Sequence, residues 1–405
     1  MNESSSNQLE IVLGPQRALT LPWLIPLTFL YITILIIGVI GNLLVILVIL
    51  KFRYMQTVTN LYLCNLAVTD ILILIAGVPV ELYALWHQYP WNLGLFVCQL
   101  KHLVSESTSY SSILTLVTFT LERYLAICGT PKTPPVASNL NTNSTTHLKR
   151  IAVRNIAIIW TLSFLGAVPL TLFAQINYVY IKQVPVTESA WCGLPFNQPD
   201  RIWETIMLSS TVLFFVIPLT VISLLYYFIA RTLKQATKLD PFNNPDLQLT
   251  DLRSSRKIIQ SRKIVIRLLV AIVIAFTICW TPFHAQRLLF IYASLHTEWP
   301  EELRRINGIF FLVAGVLYYL NSTINPILYS AMSTRFRLAF NLYASGCCGG
   351  RSSKHSNRSS SSGNKHRATP SKSNSDNSVN VNGVNGHARG VTAKVHWNKN
   401  LNYLE

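Results

Sequence analysis

The sequence predicts an all-α membrane protein: a bundle of seven transmembrane helices, a short amphipathic eighth helix, and a β-hairpin in the second extracellular loop. Three observations lead there. Half of the 405 residues are hydrophobic and 13% are charged, against about 25% charged in ordinary soluble domains. Apolar runs of the ~20 residues needed to cross a hydrocarbon core recur along the chain. Basic residues crowd into alternate connections between those runs, as in a chain that threads a membrane repeatedly.

The runs cover roughly 24–50, 59–86, 96–128, 152–173, 203–231, 263–295 and 306–330. The third is the least uniform, with Ser and Thr at many positions, which suits a helix surrounded by other helices. Pro79, Pro169, Pro218, Pro282 and Pro326 interrupt spans. In a bundle, neighbouring helices and water satisfy the carbonyls that proline frees. Three segments follow: 1–23 as an extracellular N-terminus, 24–345 as the membrane domain, and 346–405 as a cytoplasmic tail. The tail is rich in Ser, Asn, Gly and Lys and reads as disordered.

Charge sets the orientation. Connections after odd-numbered spans hold Lys51, Arg53, Lys149, Arg150 and a dense set from Arg231 to Lys263. The excess of positive charge assigns them to the cytoplasm, so the N-terminus is expected outside and the tail inside. The acidic-polar start MNESSSNQLE has no basic-then-apolar leader pattern, so the first span is expected to direct insertion itself. Of the glycosylation sequons, Asn2 lies on the modified side, whereas Asn143, Asn321 and Asn357 are expected to stay bare.

The net charge of +17 raises nucleic acid as a partner. The basic residues do not form one folded face, however; they flank apolar runs, where anionic lipid headgroups await them. Seven cysteines in a chain this long are no disulfide scaffold. Cys64 and Cys279 lie inside apolar runs. After Tyr329, STRFRLAFNLYA places Phe336 and Phe340 on one face beside Arg335 and Arg337, the pattern of a helix lying on the membrane surface. Cys347 and Cys348 follow as palmitoylation sites or as a plain thiol pair.

Polar groups inside apolar spans are costly and so point to function. Asp70 is in the middle of the second span, with Asn42, Ser112, Asn321, Ser322 and Asn325 at similar depth in others. Such oxygens hold water or a small hard cation such as sodium; equally, they form a network that only joins helices. Glu122-Arg123-Tyr124 closes the third span. Its arginine is either a snorkelling anchor or one half of a switch in which Glu122 holds it until a competitor arrives.

On the outer side, Cys98 opens the third span and Cys192 lies in the loop after the fourth. A bond between them would pin that loop over the bundle mouth. The stretch INYVYIKQV alternates with β-branched and aromatic residues, which predicts a hairpin. Glu81 and Glu106 lie near the outer ends of spans two and three and are expected to face inward, with Arg287 near the outer end of span six. A Glu106–Arg287 pair would leave Glu81 free for a cationic ligand group. Tyr110, Phe283, Tyr292, Phe311 and Tyr318 are candidates to line the same cavity, against the alternative of ordinary packing.

Motifs occur in order, one set per span: Gly41-Asn42, then Leu66-Ala67-Val68-Thr69-Asp70, Glu122-Arg123-Tyr124, Trp160, Pro218 with Tyr226, Phe276 with Cys279-Trp280-Thr281-Pro282, and Asn325-Pro326-Ile327-Leu328-Tyr329. The series resembles the rhodopsin-like G-protein-coupled receptors over about residues 24–345. VPVELYALWHQYPWNLG, the stretch from Cys98 to Cys128, and FHAQRLLF are similar to the neuromedin U, pyrokinin and capability peptide receptors. That resemblance implies a peptide ligand with an amidated C-terminus preceded by arginine. It makes Glu81 and Glu106 partners for the arginine, a heterotrimeric G protein of the Gq type the output partner, arrestin a further partner, and the plasma membrane the location.

The resemblance also implies that Trp280 and Phe276 move on ligand binding and that span six swings at Pro282. Arg123 then leaves Glu122 and meets the G protein with Tyr226 and Tyr329. It favours sodium among the Asp70 oxygens, with Asp70, Ser112 and Asn325 as ligands, and implies no other cofactor. One departure stands out: the His-Pro-apolar sequence usual after the third span is replaced by Gly129-Thr130-Pro131-Lys132 and a polar stretch, which leaves the apolar contact missing from its expected place, with Val136 the candidate to replace it.

A receptor for ghrelin-, motilin- or neurotensin-like peptides is the alternative; Glu81 and YPWNLG favour the first reading. A retinal-based light sensor requires a Schiff-base lysine in span seven, and 306–330 contains none. An enzyme or transporter requires a metal cluster, an activated nucleophile or an inverted repeat, and the spans carry none of these patterns.

Overall fold

The computed structural model describes residues 16–129, 142–181, 183–195, 201–238, 249–294 and 301–348. Residues Met1–Ala344 form one compact unit. In the other, Ser345–Glu405, the described residues are the last turn of a helix. The expectations for Asn2, Val136 and the tail lie outside the described residues, as do the side chains of Cys347 and Cys348.

The helices are α1 (Leu21–Lys51), α2 (Val58–Trp86), α3 (Gly94–Cys128), α4 (Thr142–Phe173), α5 (Ile202–Thr211), α6 (Ile217–Lys238), α7 (Leu249–Ser294), α8 (Glu301–Met332) and α9 (Thr334–Cys348). Between α5 and α6, Val212–Val216 forms one π turn, so α5 and α6 make a single fifth span. Among the described residues, seven helices are long and apolar enough to cross a membrane. Large apolar side chains stay exposed around the outside, among them Phe29, Ile36, Ile40, Leu165 and Leu172. A water-soluble protein would bury such a belt; lipid tails accept it.

Local chemistry explains the helix ends. Thr57 caps α2 by accepting from the Asn60 amide at 3.2 Å, satisfying one of the orphan donors of the first turn. The turn into α3 places Gly94 at φ +76°, a backbone region that glycine enters without steric cost. The α7 helix begins at Leu249 rather than at 263, because LTDLRSSRKIIQSRK continues the helix beyond its apolar part.

The Gly41-Asn42 and Asn325-Pro326 motifs meet in space. Pro326 has no N–H for the Ser322 carbonyl one turn earlier. The Asn42 side-chain amide replaces it, donating to that carbonyl at 2.7 Å. A Cβ on Gly41 would stand 3.0 Å from Pro326 Cβ, so glycine is what lets α1 and α8 approach so closely.

The predicted hairpin is present. β1 (Gln175–Ile181) and β2 (Val184–Gly193) pair antiparallel. Ile176 faces Cys192, and a bulge separates Asn177 from Val179. Ser189 Oγ accepts the Val179 amide at 2.7 Å and fills the bulge. The predicted amphipathic helix is α9. Its Phe336 is buried, stacked against Tyr329 at 5.5 Å, while Arg335 and Arg337 are exposed.

Candidate functional site

The hairpin marks one end of the bundle. Cys98 and Cys192 form a disulfide with Cα atoms 5.7 Å apart. Gln99 Nε2 donates to Ala174 O at 3.3 Å, and the Trp91 amide donates to Ala190 O at 2.7 Å. The hairpin is thus tied to the top of α3 and to the loop before it.

Beneath it, two acidic side chains sit in different settings. Arg287 Nη1 lies 3.0 Å from Glu106 Oε1 and 3.1 Å from Oε2. Tyr110 Oη donates to Glu106 Oε2 at 2.6 Å. Both members of the pair are buried, and a charge in a low-dielectric interior needs such a partner. The guanidinium also stands 5.3 Å from the Phe283 ring centre, within cation–π range. The Glu106–Arg287 pair expected from sequence therefore forms.

Glu81 is not free, contrary to the expectation above. Lys101 Nζ lies 3.2 Å from its Oε2. The two residues face one another across α2 and α3, a register that the sequence does not reveal. Tyr31 and Tyr319 pack edge to face at 5.8 Å beside it, and a Cβ on Gly315 would lie 3.9 Å from Glu81 Oε1.

The expected aromatic lining divides. Tyr318 contacts Trp280 at 4.9 Å and Phe283 at 5.2 Å, and its hydroxyl donates to Ser105 O at 3.2 Å. Tyr110 stacks on Phe214 at 3.8 Å. Tyr292 and Phe311 are 56% and 50% exposed. The π turn supplies residues that periodicity missed. Consecutive Phe214 and Phe215 both face inward, Phe214 on Tyr110 and Phe215 on His284 at 4.1 Å, which a regular helix turning 100° per residue resists.

At mid-depth the polar residues converge. Asn325 Nδ2 donates to Asp70 Oδ2 at 2.9 Å, and the Ser322 hydroxyl bonds the same carboxylate. Thr69 and Ser112 hydroxyls are 3.0 Å apart. A small cavity beside Ser112, Asn321, Asn325 and Phe276 has room for about one water-sized sphere. The carboxylate, hydroxyl and amide-carbonyl oxygens gathered here are of the kind that suits a hard cation or water. Trp160 Nε1 donates to Asn65 Oδ1 at 2.9 Å, which ties α4 to α2.

At the far end, Glu122 Oε1 accepts from Tyr62 Oη at 2.6 Å, and Asn155 Nδ2 donates to the same hydroxyl at 3.2 Å. Sequence reasoning missed Tyr62, since only the packing of α2 on α3 places it there. Arg123 Cζ is 5.6 Å from the Phe119 ring centre, and Tyr124 is 6.2 Å from Phe228. Tyr226 Oη accepts from Thr120 at 3.5 Å. Phe276 stacks on Trp280 at 5.2 Å, and Pro282 follows two residues after Trp280. Tyr329 is fully buried, and its hydroxyl has no hydrogen-bond partner among the described residues.

Comparison with known proteins agrees with this arrangement. Residues 41–329 match the family described as 7 transmembrane receptor (rhodopsin family). The chain is 35% identical to neuromedin-U receptor 2 of Mus musculus over 85% of its own length and 81% of that protein's. It is 32% identical to the human neuromedin-U receptor 1, over 86% and 79% of the two lengths. The Drosophila melanogaster pyrokinin-1 receptor is also 32% identical, over 83% of each. The chain is a multi-pass membrane protein and no enzyme: it belongs to the rhodopsin family of seven-transmembrane receptors, in the group that includes the neuromedin U and pyrokinin receptors.

Proposed function

We propose that this chain is a plasma-membrane receptor for a short neuropeptide of the neuromedin U and pyrokinin type, with its N-terminus and hairpin outside and its basic loops inside. The peptide's amidated C-terminus, with an arginine before its last residue, enters under the hairpin. The observation that carries this reading is Glu81: a carboxylate at the hairpin end, 10% exposed, held by one ammonium contact. A guanidinium makes paired, charge-assisted bonds to such a group. The relatives named for neuromedin U and pyrokinin support the ligand class.

Glu106 is locked to Arg287 and Tyr110, so it acts by shaping the pocket floor and positioning Arg287 beside the ligand. From there the aromatic contacts run Phe283–Trp280–Phe276, past Pro282 and into the inner half of α7. Agonist activates by binding the open arrangement better than the closed one. In the open arrangement Arg123, Tyr226 and Tyr329 meet a G protein of the Gq type, and calcium rises; arrestin ends the signal. Asp70, Ser112, Asn321, Ser322 and Asn325 hold sodium in the closed arrangement, where its charge offsets the buried carboxylate. Asn2 carries glycan, and Cys347 and Cys348 carry palmitate.

The test is a calcium recording from cells expressing the full chain, challenged with a panel of amidated peptides. Responses to peptides ending in Pro-Arg and an aliphatic amide are expected. Silence to these, with responses to ghrelin-, motilin- or neurotensin-like peptides, overturns the reading in favour of those groups.

A further inference from the structure

We propose that Lys101 is an internal competitor of the ligand: a built-in cation that occupies the ligand arginine's seat on Glu81 and so sets the receptor's affinity for arginine-bearing peptides. This rests on the reading that Glu81 receives the ligand's arginine.

The two acids at the hairpin end are held in unlike ways. Glu106 engages Arg287 through both oxygens and also takes the Tyr110 hydroxyl. Both members of that pair are sealed, with side chains 7% and 8% exposed. Glu81 is held at Oε2 alone, by Lys101 Nζ at 3.2 Å, and the lysine side chain is 23% exposed. Among the described residues, Glu81 Oε1 accepts no hydrogen bond. The Lys101 ammonium is a point charge on a flexible stem. Its side chain keeps a path to water that the sealed Arg287 lacks, at 23% exposed against 7%.

An incoming guanidinium offers a planar fork, which bridges both oxygens where the ammonium reaches one. A ligand arginine therefore replaces more than it removes. A peptide with a neutral residue at that place leaves the Lys101–Glu81 pair standing, so its affinity does not depend on Lys101. The lysine also lowers apparent affinity for the correct ligand, by the fraction of receptors in which Glu81 is released. Lys101 thus holds down affinity for the arginine peptide while keeping the Glu81 carboxylate paired in the empty receptor.

The experiment measures binding of two peptides to the full-length receptor in cell membranes. One ends in Pro-Arg and an aliphatic amide; the other carries citrulline for arginine. The receptors are wild type, Lys101→Met, Lys101→Gln, Glu81→Gln and Lys101→Met/Glu81→Gln, each matched for surface expression. Lys101→Met and Lys101→Gln are expected to raise affinity for the arginine peptide about three- to tenfold. Citrulline peptide affinity is expected to shift less than about twofold, and the gain is expected to vanish on the Glu81→Gln background. No gain, an equal gain for both peptides, or a gain that persists without the Glu81 charge overturns the proposal. If Glu81→Gln weakens both peptides equally, the underlying reading falls and takes the proposal with it. If Glu81→Gln discriminates but neither Lys101 variant gains, only the role of Lys101 falls.

Discussion

Glu106 and Arg287 meet at 3.0 Å, both buried, and join the third span to the sixth directly below the hairpin. A pair this dry is costly to break from one side. Removing either charge leaves the other uncompensated, at about 3–5 kcal/mol. Glu106→Gln and Arg287→Met are each expected to lower the thermal unfolding temperature in detergent by several degrees. The double variant is expected to recover more than half of the worse loss. Additive losses in the double would mean that the two residues stabilise the bundle independently.

Two glycines admit two tyrosines beside Glu81, and the contacts differ in kind. A Cβ on Gly315 would come within 2.9 Å of the Tyr31 hydroxyl, whereas one on Gly77 would come within 2.8 Å of ring carbon and hydroxyl of Tyr319 alike. Each alanine variant is expected to cost about 1–3 kcal/mol through overpacking. Tyr31→Phe is expected to rescue Gly315→Ala, since it removes the atom in the way. Tyr319→Phe is not expected to rescue Gly77→Ala, because the ring remains. Thermal unfolding of the four single and two double variants decides this.

Sodium among the mid-depth oxygens gives a separate test. Replacing potassium by sodium at constant ionic strength is expected to weaken agonist binding about three- to tenfold in the wild-type receptor. Asp70→Asn keeps the hydrogen-bonding shape but removes the charge, and is expected to abolish that difference. A sodium effect of unchanged size in Asp70→Asn would remove Asp70 from the ion's site.

The spans were legible because apolar runs of membrane length carry their own signal, and the hairpin because INYVYIKQV alternates. The Glu106–Arg287 pair was legible because two opposite charges at one depth have few other partners in an apolar bundle. What was not legible depends on the rotation of one helix against another. Lys101 opposite Glu81 and Tyr62 opposite Glu122 follow from the register of α2 on α3, which sequence spacing does not encode. The π turn at Val212–Val216 shifts the fifth span's facing midway, and no proline or glycine inside VLFFV announces it.

The account depends on a ligand guanidinium meeting Glu81. Its most direct test is the binding of an arginine peptide and its citrulline analogue to Glu81→Gln, an isosteric change that keeps packing. Losing charge-assisted bonds worth about 1.5–3 kcal/mol predicts a ten- to hundredfold loss for the arginine peptide and little change for the analogue. Equal losses for both peptides would contradict it.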